Sequence, residues 1–280
     1  MLNRVLRKGQ LAGQLLFRLA TSGDRVLPSF LILGTMKGGT TSLFNFITEH
    51  PAVLPPWRKE TNFFNHHYRK GALWYRAYFP RKSPPIAKAN LRPFQTGEAS
   101  PYYLYHPAVP RRVRNLLPDV KLIVLLRNPV ERAFSHYRHQ VRSGIESRPF
   151  AEVVDKQLQQ TPATLLAARQ RAVSRDLSHR RFSYLARGLY LEQIKSWHAQ
   201  FPREQMILLQ SEIFLSDTVE QFDRVLAFLE LEPWRPAEGF PQYHVGIEGK
   251  IDTQLASRLR DFYHQPNEML FEYLDQEFDW

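Results

Sequence analysis

Three short apolar runs punctuate the chain, at residues 30–33, 120–126 and 206–209, with a weaker extended stretch at 95–100. Continuous apolar runs of this length predict strands buried on both faces, as in a parallel sheet. The segments between them carry helical spacing. Helices are expected at 41–50, ending before Pro51, and at 72–79, 107–117, 185–200 and 251–275, the last interrupted or ended near Pro266. Another is expected at 130–141, with Pro129 where helices favour it. At 218–229, Val219, Phe222, Val225, Leu226 and Leu229 share one helical face. Residues 53–56 read as a brief extended piece, and 61–68 are rich in aromatics and histidine. The prolines at 80, 84, 85 and 93 mark a loop. Strands alternating with helices predict a doubly wound α/β fold, with a central, mostly parallel sheet flanked by helices in three layers.

Residues 1–27 form a basic amphipathic segment. Leu6, Leu11, Leu15, Leu16 and Leu19 alternate with Arg4, Arg7, Lys8 and Arg18. Two readings stay open: a helix packed on the domain or frayed from it, and a helix lying on a membrane surface. The segment lacks the compact apolar stretch of a signal peptide, and no run of about 18 apolar residues occurs. Residues 28–280 are expected to form one domain, with a helical, basic insertion around 145–182 as a candidate lid. The hydrophobic share of 43% is enough for a packed core and excludes a disordered chain. The net charge of +11 favours anionic partners without choosing among nucleotides, glycans, nucleic acid and membranes. The absence of cysteine excludes disulfides, thiol catalysis and cysteine-based zinc sites, and suits a reducing compartment.

The first strand runs into Gly34-Thr35-Met36-Lys37-Gly38-Gly39-Thr40-Thr41-Ser42 and then a helix. Glycines turn the backbone tightly and aim amide N–H groups inward. The helix N-terminus adds its dipole, Lys37 a full charge, and Thr40, Thr41 and Ser42 their hydroxyls. The whole suits a phosphate or sulfate group. The nucleotide-triphosphate loop, G-x-x-x-x-G-K-S/T, places its lysine after the glycines. Here Lys37 precedes them, which weakens an ATPase or kinase reading. The pattern G-x-x-K-x-G-T-S/T resembles the 5′-phosphosulfate loop of sulfotransferases, and the Gly-Gly pair is most similar to the heparan-sulfate and related carbohydrate branch. The expected fold is then P-loop-like.

A second strand end carries Arg127-Asn128-Pro129-Val130-Glu131-Arg132-Ala133-Phe134-Ser135-His136-Tyr137. Ligands of such sheets bind outside the carboxyl ends of the strands, so Arg127 is placed to meet the same ligand as Lys37. Ser135 lies about two helical turns further on. This stretch resembles the sulfotransferase 3′-phosphate site, R-N/D-P-x-E/D-R-x-x-S-x-Y/F. By that resemblance Arg127 and Ser135 hold the 3′-phosphate of 3′-phosphoadenosine 5′-phosphosulfate (PAPS), whose product is adenosine 3′,5′-bisphosphate (PAP). Arg132 has an alternative structural reading, paired with a carboxylate such as Glu131 or Glu98.

Sulfuryl transfer needs the leaving phosphate neutralised, the moving oxygens stabilised and the acceptor deprotonated. Lys37 suits the first two tasks. Lys59-Glu60-Thr61-Asn62-Phe63-Phe64 resembles the K-E-x-x-F/Y-F stretch of carbohydrate sulfotransferases, which implies Glu60 as general base. The other reading of Glu60 is an ion pair with Lys59 or Arg58, and His66, His67 and His106 are rival bases. No metal is expected. The stretch 96–103 resembles an acceptor-cleft segment, implying Glu98, Ser100 and Tyr102. Gly188-Leu189-Tyr190 resembles a segment that brings Tyr190 towards the nucleotide, against a plain core role. Lys250, after His244, Gly246 and Gly249, stands near the family's late nucleotide-closing loop.

The expected function is thus PAPS-dependent transfer to a hydroxyl or amine of a glycan, glycolipid or small hydroxylated acceptor, in the cytoplasm, with weak membrane-surface association of the N-terminal helix. Nucleic acid is not expected as a partner. The competing classes are a P-loop NTPase or kinase, and a non-enzymatic polyanion binder using Arg169, Arg171, Arg175, Arg180, Arg181 and Arg187.

Overall fold

A computed structural model describes residues 2–83, 93–173, 181–241 and 250–280. Four strands form one parallel sheet in the order β2-β1-β3-β4: β1 (Phe30–Gly34), β2 (Gly97–Ala99), β3 (Lys121–Leu126) and β4 (Met206–Gln210). All four lie where the apolar runs and the weaker 95–100 stretch place them. The helices are α1 (Leu2–Ala20), α2 (Thr40–Glu49), α3 (Gly71–Arg76), α4 (Val109–Leu116), α5 (Pro129–Arg142), α6 (Phe150–Leu158), α7 (Pro162–Ala167), α8 (Leu191–His198), α9 (Ser211–Ser216), α10 (Thr218–Leu229) and α11 (Thr253–Leu274).

The period of two along each strand divides the core. Leu31, Leu33, Leu122, Val124 and Leu126 face one side with Val109, Val113, Ile194 and Trp197. Phe30, Ile32, Ile123 and Leu125 face the other with Leu43, Ile47, Phe222 and Val225. Helices thus cover both faces, which is why the strands read as unbroken apolar runs. From β1 the chain leads to β2 on one side, and later to β3 on the other. The chain therefore changes direction between β1 and β3, and the crevice at their carboxyl ends is where such sheets bind ligands.

Three expectations change. α11 runs unbroken through Pro266 for 22 residues. A mid-helix proline costs roughly 3 kcal/mol, and burial of Leu255, Leu259 and Tyr263 before it and Leu270 after it offsets that cost. The helix expected at 185–200 is a 3-10 turn, Ala186–Gly188, followed by the shorter α8. The turn lets α5 and α11 close on Gly188, where a Cβ would stand 2.7 Å from the Tyr263 hydroxyl and 2.8 Å from Pro129 Cβ. The third change concerns the basic insertion. Two of the six arginines read as a polyanion-binding surface turn inward: Phe150, Val153, Val154 and Leu165 pack with Leu255 and Leu259, and Arg169 and Arg187 are buried, while Arg171 and Arg181 stay exposed. Arg169 donates to the carbonyls of Tyr105 and Glu192, and Arg187 to the Ser183 hydroxyl. Arg175 and Arg180 lie outside the described residues. The partners of Arg169 and Arg187 among carbonyls and hydroxyls explain how those two guanidinium groups tolerate burial.

α1 touches the body through its last turns. Arg18 donates to the carbonyls of Ala77 (2.6 Å) and Phe79 (3.0 Å), and Leu15 packs on the first core cluster. Leu16 and Phe17 stay 68% and 60% exposed.

Gly97 pairs directly with Phe30 across β1 and β2, and a Cβ on it would stand 2.3 Å from Cε2 of the Phe30 ring. Gly97→Ala is expected to lower stability by about 1–3 kcal/mol, read from the urea midpoint. Phe30→Leu in the same chain should recover part of that loss, and simple additivity of the two would contradict the contact.

Candidate active site

The loop after β1 is shaped by hydrogen bonds made by its amide and carbonyl groups. Thr35 N–H donates to Leu125 O (2.8 Å), and Gly38 N–H to Thr35 O (2.9 Å). Arg127 Nη1 donates to Lys37 O (3.0 Å) and Ser211 Oγ to Gly38 O (2.8 Å). Lys37 is held at φ 74°, a conformation that side chains rarely adopt and that surrounding bonds must impose. The two glycines serve different needs. A Cβ on Gly38 would stand 3.0 Å from Leu125 O, so only glycine lets the loop lie on the β3 end. Gly39 caps α2 at φ 89° with no side-chain cap bond. The first amides of α2 therefore lack side-chain and intrahelical partners, as an anion cradle requires. Thr40 and Ser42 are buried at this end and Thr41 is half-buried.

The second anchor follows β3. Asn128 caps α5, its side chain accepting from Val130 and Glu131 N–H. Arg127 lies 90 residues from Lys37 in sequence and bonds its carbonyl. Its guanidinium also sits 3.9 Å from Glu131. Ser135 is half-buried on α5, two turns from Arg127. Tyr190 is buried, and its hydroxyl donates to Arg127 O at 2.7 Å. It therefore stands behind Arg127 and fixes its backbone. Arg132 is fully buried and donates to the Tyr184 carbonyl, in place of the carboxylate partner anticipated for it.

Glu60 is carried by a loop hung from β2. Ala99 N–H donates to Lys59 O at 2.9 Å. Glu98, with no exposed surface, accepts from Thr61 N–H (3.0 Å) and the Thr61, Ser100, Tyr75 and Tyr103 hydroxyls (2.7, 2.8, 2.7 and 2.9 Å). Burial pushes its pKa up while these donors pull it down. Every oxygen of Glu98 is engaged inside the protein, so Glu98 and Ser100 support the Glu60 loop from beneath and do not line a cleft. Glu60 itself is half-exposed and lies 3.5 Å from Lys59 Nζ, and that ammonium donates to Thr41 Oγ1 at 2.6 Å. The ion-pair reading of Glu60 is thus realised, and the same lysine ties its loop to the first turn of α2.

Among the rival bases, His106 is buried, with its pKa pushed down to about 4 by burial and nearby arginines. Its Nδ1 accepts from Ala108 N–H at 3.2 Å, so the ring is neutral and engaged at pH 7. His66 and His67 are partly buried, their rings 6.3 Å apart. Lys250 is exposed beside residues 242–249, which lie outside the described residues together with His244, Gly246 and Gly249.

Burial lowers the Lys37 pKa most, followed by the charges of Arg142, Arg127 and Lys59. The fit to an anion is therefore electrostatic as well as geometric, because four cations crowd one loop.

The sulfotransferase domain family matches residues 27–238 of the chain. The chain belongs to the sulfotransferase family. It is 29% identical to heparan sulfate glucosamine 3-O-sulfotransferase 3B1 of Homo sapiens, over 92% of this chain and 66% of that protein. It is 25% identical to the membrane-associated sulfotransferase kil1 of Dictyostelium discoideum, over 91% of this chain and 66% of that protein. The chain thus spans about two thirds of the length of these relatives. The crystal structure of a sulfotransferase from Alicyclobacillus acidocaldarius aligns with a TM-score of 0.66 at 27% identity, covering 90% of this chain and 98% of that one. Its match, with the parallel sheet flanked on both faces, establishes the P-loop-like α/β fold of this family.

In this sulfotransferase fold the loops after β1 and β3 and the Lys59–Glu60 loop come together. Tyr190 supports them from behind, and no described contact joins Lys250 to them. Sequence reasoning passed over three contributors. Lys59 was visible beside Glu60, but its bond to Thr41 was not. Arg142 and Ser211 carried no motif.

Because burial and neighbouring cations depress the Lys37 pKa, an anion bound against it should favour the protonated form. PAP binding is therefore expected to take up protons at alkaline pH and to weaken as pH rises through the Lys37 pKa. Calorimetry in buffers of different ionisation enthalpy reads the uptake. Equal proton uptake in Lys37→Ala would assign the linkage to another group.

Proposed function

We propose that the chain moves a sulfuryl group from PAPS to a hydroxyl or amine of a carbohydrate-like acceptor. The observation that carries this reading is the bond from Arg127 to the Lys37 carbonyl, which makes two cationic strand-end loops parts of one site. A donor with anionic groups at both the 5′ and 3′ positions of a nucleoside matches that pairing. In this reading Lys37, Gly38, Gly39, Thr40, Thr41 and Ser42 hold the 5′-phosphosulfate, and Arg127 with Ser135 holds the 3′-phosphate. Tyr190 acts through Arg127, and Lys250 belongs to the closing loop. Glu60 takes the acceptor proton as the new O–S or N–S bond forms and the bond from sulfur to the 5′-phosphate oxygen breaks. Lys37 offsets the charge left on that phosphate. No metal is required, because the charge change is met by cationic side chains and helix amides.

The carbohydrate acceptor draws support from the name of the human relative, which acts on heparan sulfate glucosamine. Glycan, glycolipid and small hydroxylated acceptors all fall within the proposal. The domain is read as spanning 28–280, beyond the matched family region, because Leu255, Leu259, Tyr263 and Leu270 complete the core clusters.

Labelled sulfate from PAPS should appear on a glycan acceptor. Lys37→Ala should abolish transfer. Glu60→Gln should lower kcat by about 10²–10⁴-fold and leave PAP affinity within about twofold. Unchanged turnover in Glu60→Gln would move the base to a histidine, and absence of PAP binding by the wild-type chain would end the donor assignment.

No helix among the described residues is long and apolar enough to cross a membrane. The localisation proposed is cytoplasmic, with weak association of α1 with a membrane surface through the exposed Leu16 and Phe17. Sedimentation with vesicles containing anionic lipid should exceed that with neutral vesicles, and Leu16→Glu with Phe17→Glu should abolish it. Equal sedimentation of the doubly substituted chain would refute the surface role.

A further inference from the structure

The residues that follow β4 touch both anion loops. β4 ends at Gln210 and α9 begins at Ser211. Ser211, 1% exposed, donates its hydroxyl to Gly38 O in the loop of Lys37. The next residue, Glu212, accepts the Asn128 N–H on Oε1 at 2.9 Å, in the loop of Arg127. Its other oxygen, Oε2, lies 3.4 Å from the indole Nε1 of Trp280. That indole stacks at 4.6 Å on Phe278 and lies 5.8 Å from the Tyr190 ring.

The Asn128 N–H and the Arg127 carbonyl belong to one peptide group. Glu212 holds its N–H side and the Tyr190 hydroxyl its carbonyl side. A planar peptide gripped at both edges cannot rotate, so the direction in which Arg127 leaves the backbone is set. The grip comes from a carboxylate, whose negative charge beside Arg127 opposes the binding of an anion. That electrostatic penalty argues for a geometric benefit.

We propose that Ser211 and Glu212 are positioning residues for the donor, bracing the loops of Lys37 and Arg127 from the end of β4, with Trp280 holding Glu212. This rests on the PAPS reading of the site.

Charge and geometry predict opposite signs, which makes Glu212 testable. Glu212→Gln keeps an oxygen for the Asn128 N–H and removes the charge, so PAP should bind as tightly as to wild type or tighter. Glu212→Ala removes both, and its PAP Kd and PAPS KM should rise about tenfold, with kcat at saturating PAPS within about threefold. Ser211→Ala should raise the same constants by a smaller factor. Amide hydrogen exchange at Asn128 in the free protein should speed up in Glu212→Ala and stay near wild type in Glu212→Gln, with thermal melts confirming that each variant is folded. Tighter PAP binding by both Glu212 variants would reduce the carboxylate to a charge effect and overturn the proposal. Unchanged Asn128 exchange in Glu212→Ala would overturn it as well. If wild type itself binds no PAP, the donor reading fails, and the exchange measurement still decides whether Glu212 fixes the Asn128 amide.

Discussion

One hydrogen bond, from Arg127 Nη1 to the carbonyl of Lys37, joins the two halves of the site. It exists because β1 and β3 are neighbours in the sheet although β2 separates them in sequence. Two loops that would each be a generic anion cradle become a single surface. The bond also engages the Lys37 carbonyl, whose partial negative charge would otherwise act on a nearby anion unscreened. The left-handed backbone at Lys37 and the glycine at 38 follow from the same constraint, since the loop must bend over the β3 end to be reached.

A parallel sheet places all its carboxyl ends on one edge, and this protein uses each of them. β1 leads to Lys37 and β3 to Arg127. β2 carries Glu98, a buried carboxylate whose bonds to Thr61, Ser100, Tyr75 and Tyr103 fix the loop of Glu60. β4 delivers Ser211 and Glu212 to the other two loops. Buried carboxylates are tolerated only when their oxygens are fully engaged, and Glu98 meets that condition with neutral donors alone. Groups in direct reach of a ligand and groups that hold them in place are thus carried on the same strand ends. The Lys37 pKa is depressed first by burial and then by the gathering of Arg142, Arg127 and Lys59 around its loop, and a bound anion offsets that repulsion.

The strands were legible because strands buried on both faces need continuous apolar residues, and all four stand where those runs and the 95–100 stretch put them. The motifs at 34–42, 59–64 and 127–137 were legible because chemistry at a strand end is local: a glycine turn, a cation and a helix start occupy consecutive positions. Pro266 misled, since local propensity disfavours a helix there and only the buried faces on either side of it sustain one. The arginines of the insertion divide. Arg171 and Arg181 stay exposed, and only the carbonyls of Tyr105 and Glu192 and the hydroxyl of Ser183 show that Arg169 and Arg187 turn inward.

Sequence alone determined the fold class and the positions of the anion-loop motifs, because periodicity and short motifs depend on neighbours along the chain. Tertiary structure alone decided which of these groups are buried and engaged within the protein and which stay accessible. Glu98 and Glu60 are both carboxylates in family-like motifs, and burial with five donors separates the first from the half-exposed second. Tyr190, readable from sequence as a ligand contact or as core, is buried with its hydroxyl on the Arg127 carbonyl. Ser211 and Glu212 had no signature at all, since what distinguishes them is contact with residues 173 and 84 positions away. Such contacts are set by the order of strands in the sheet, which no local pattern encodes.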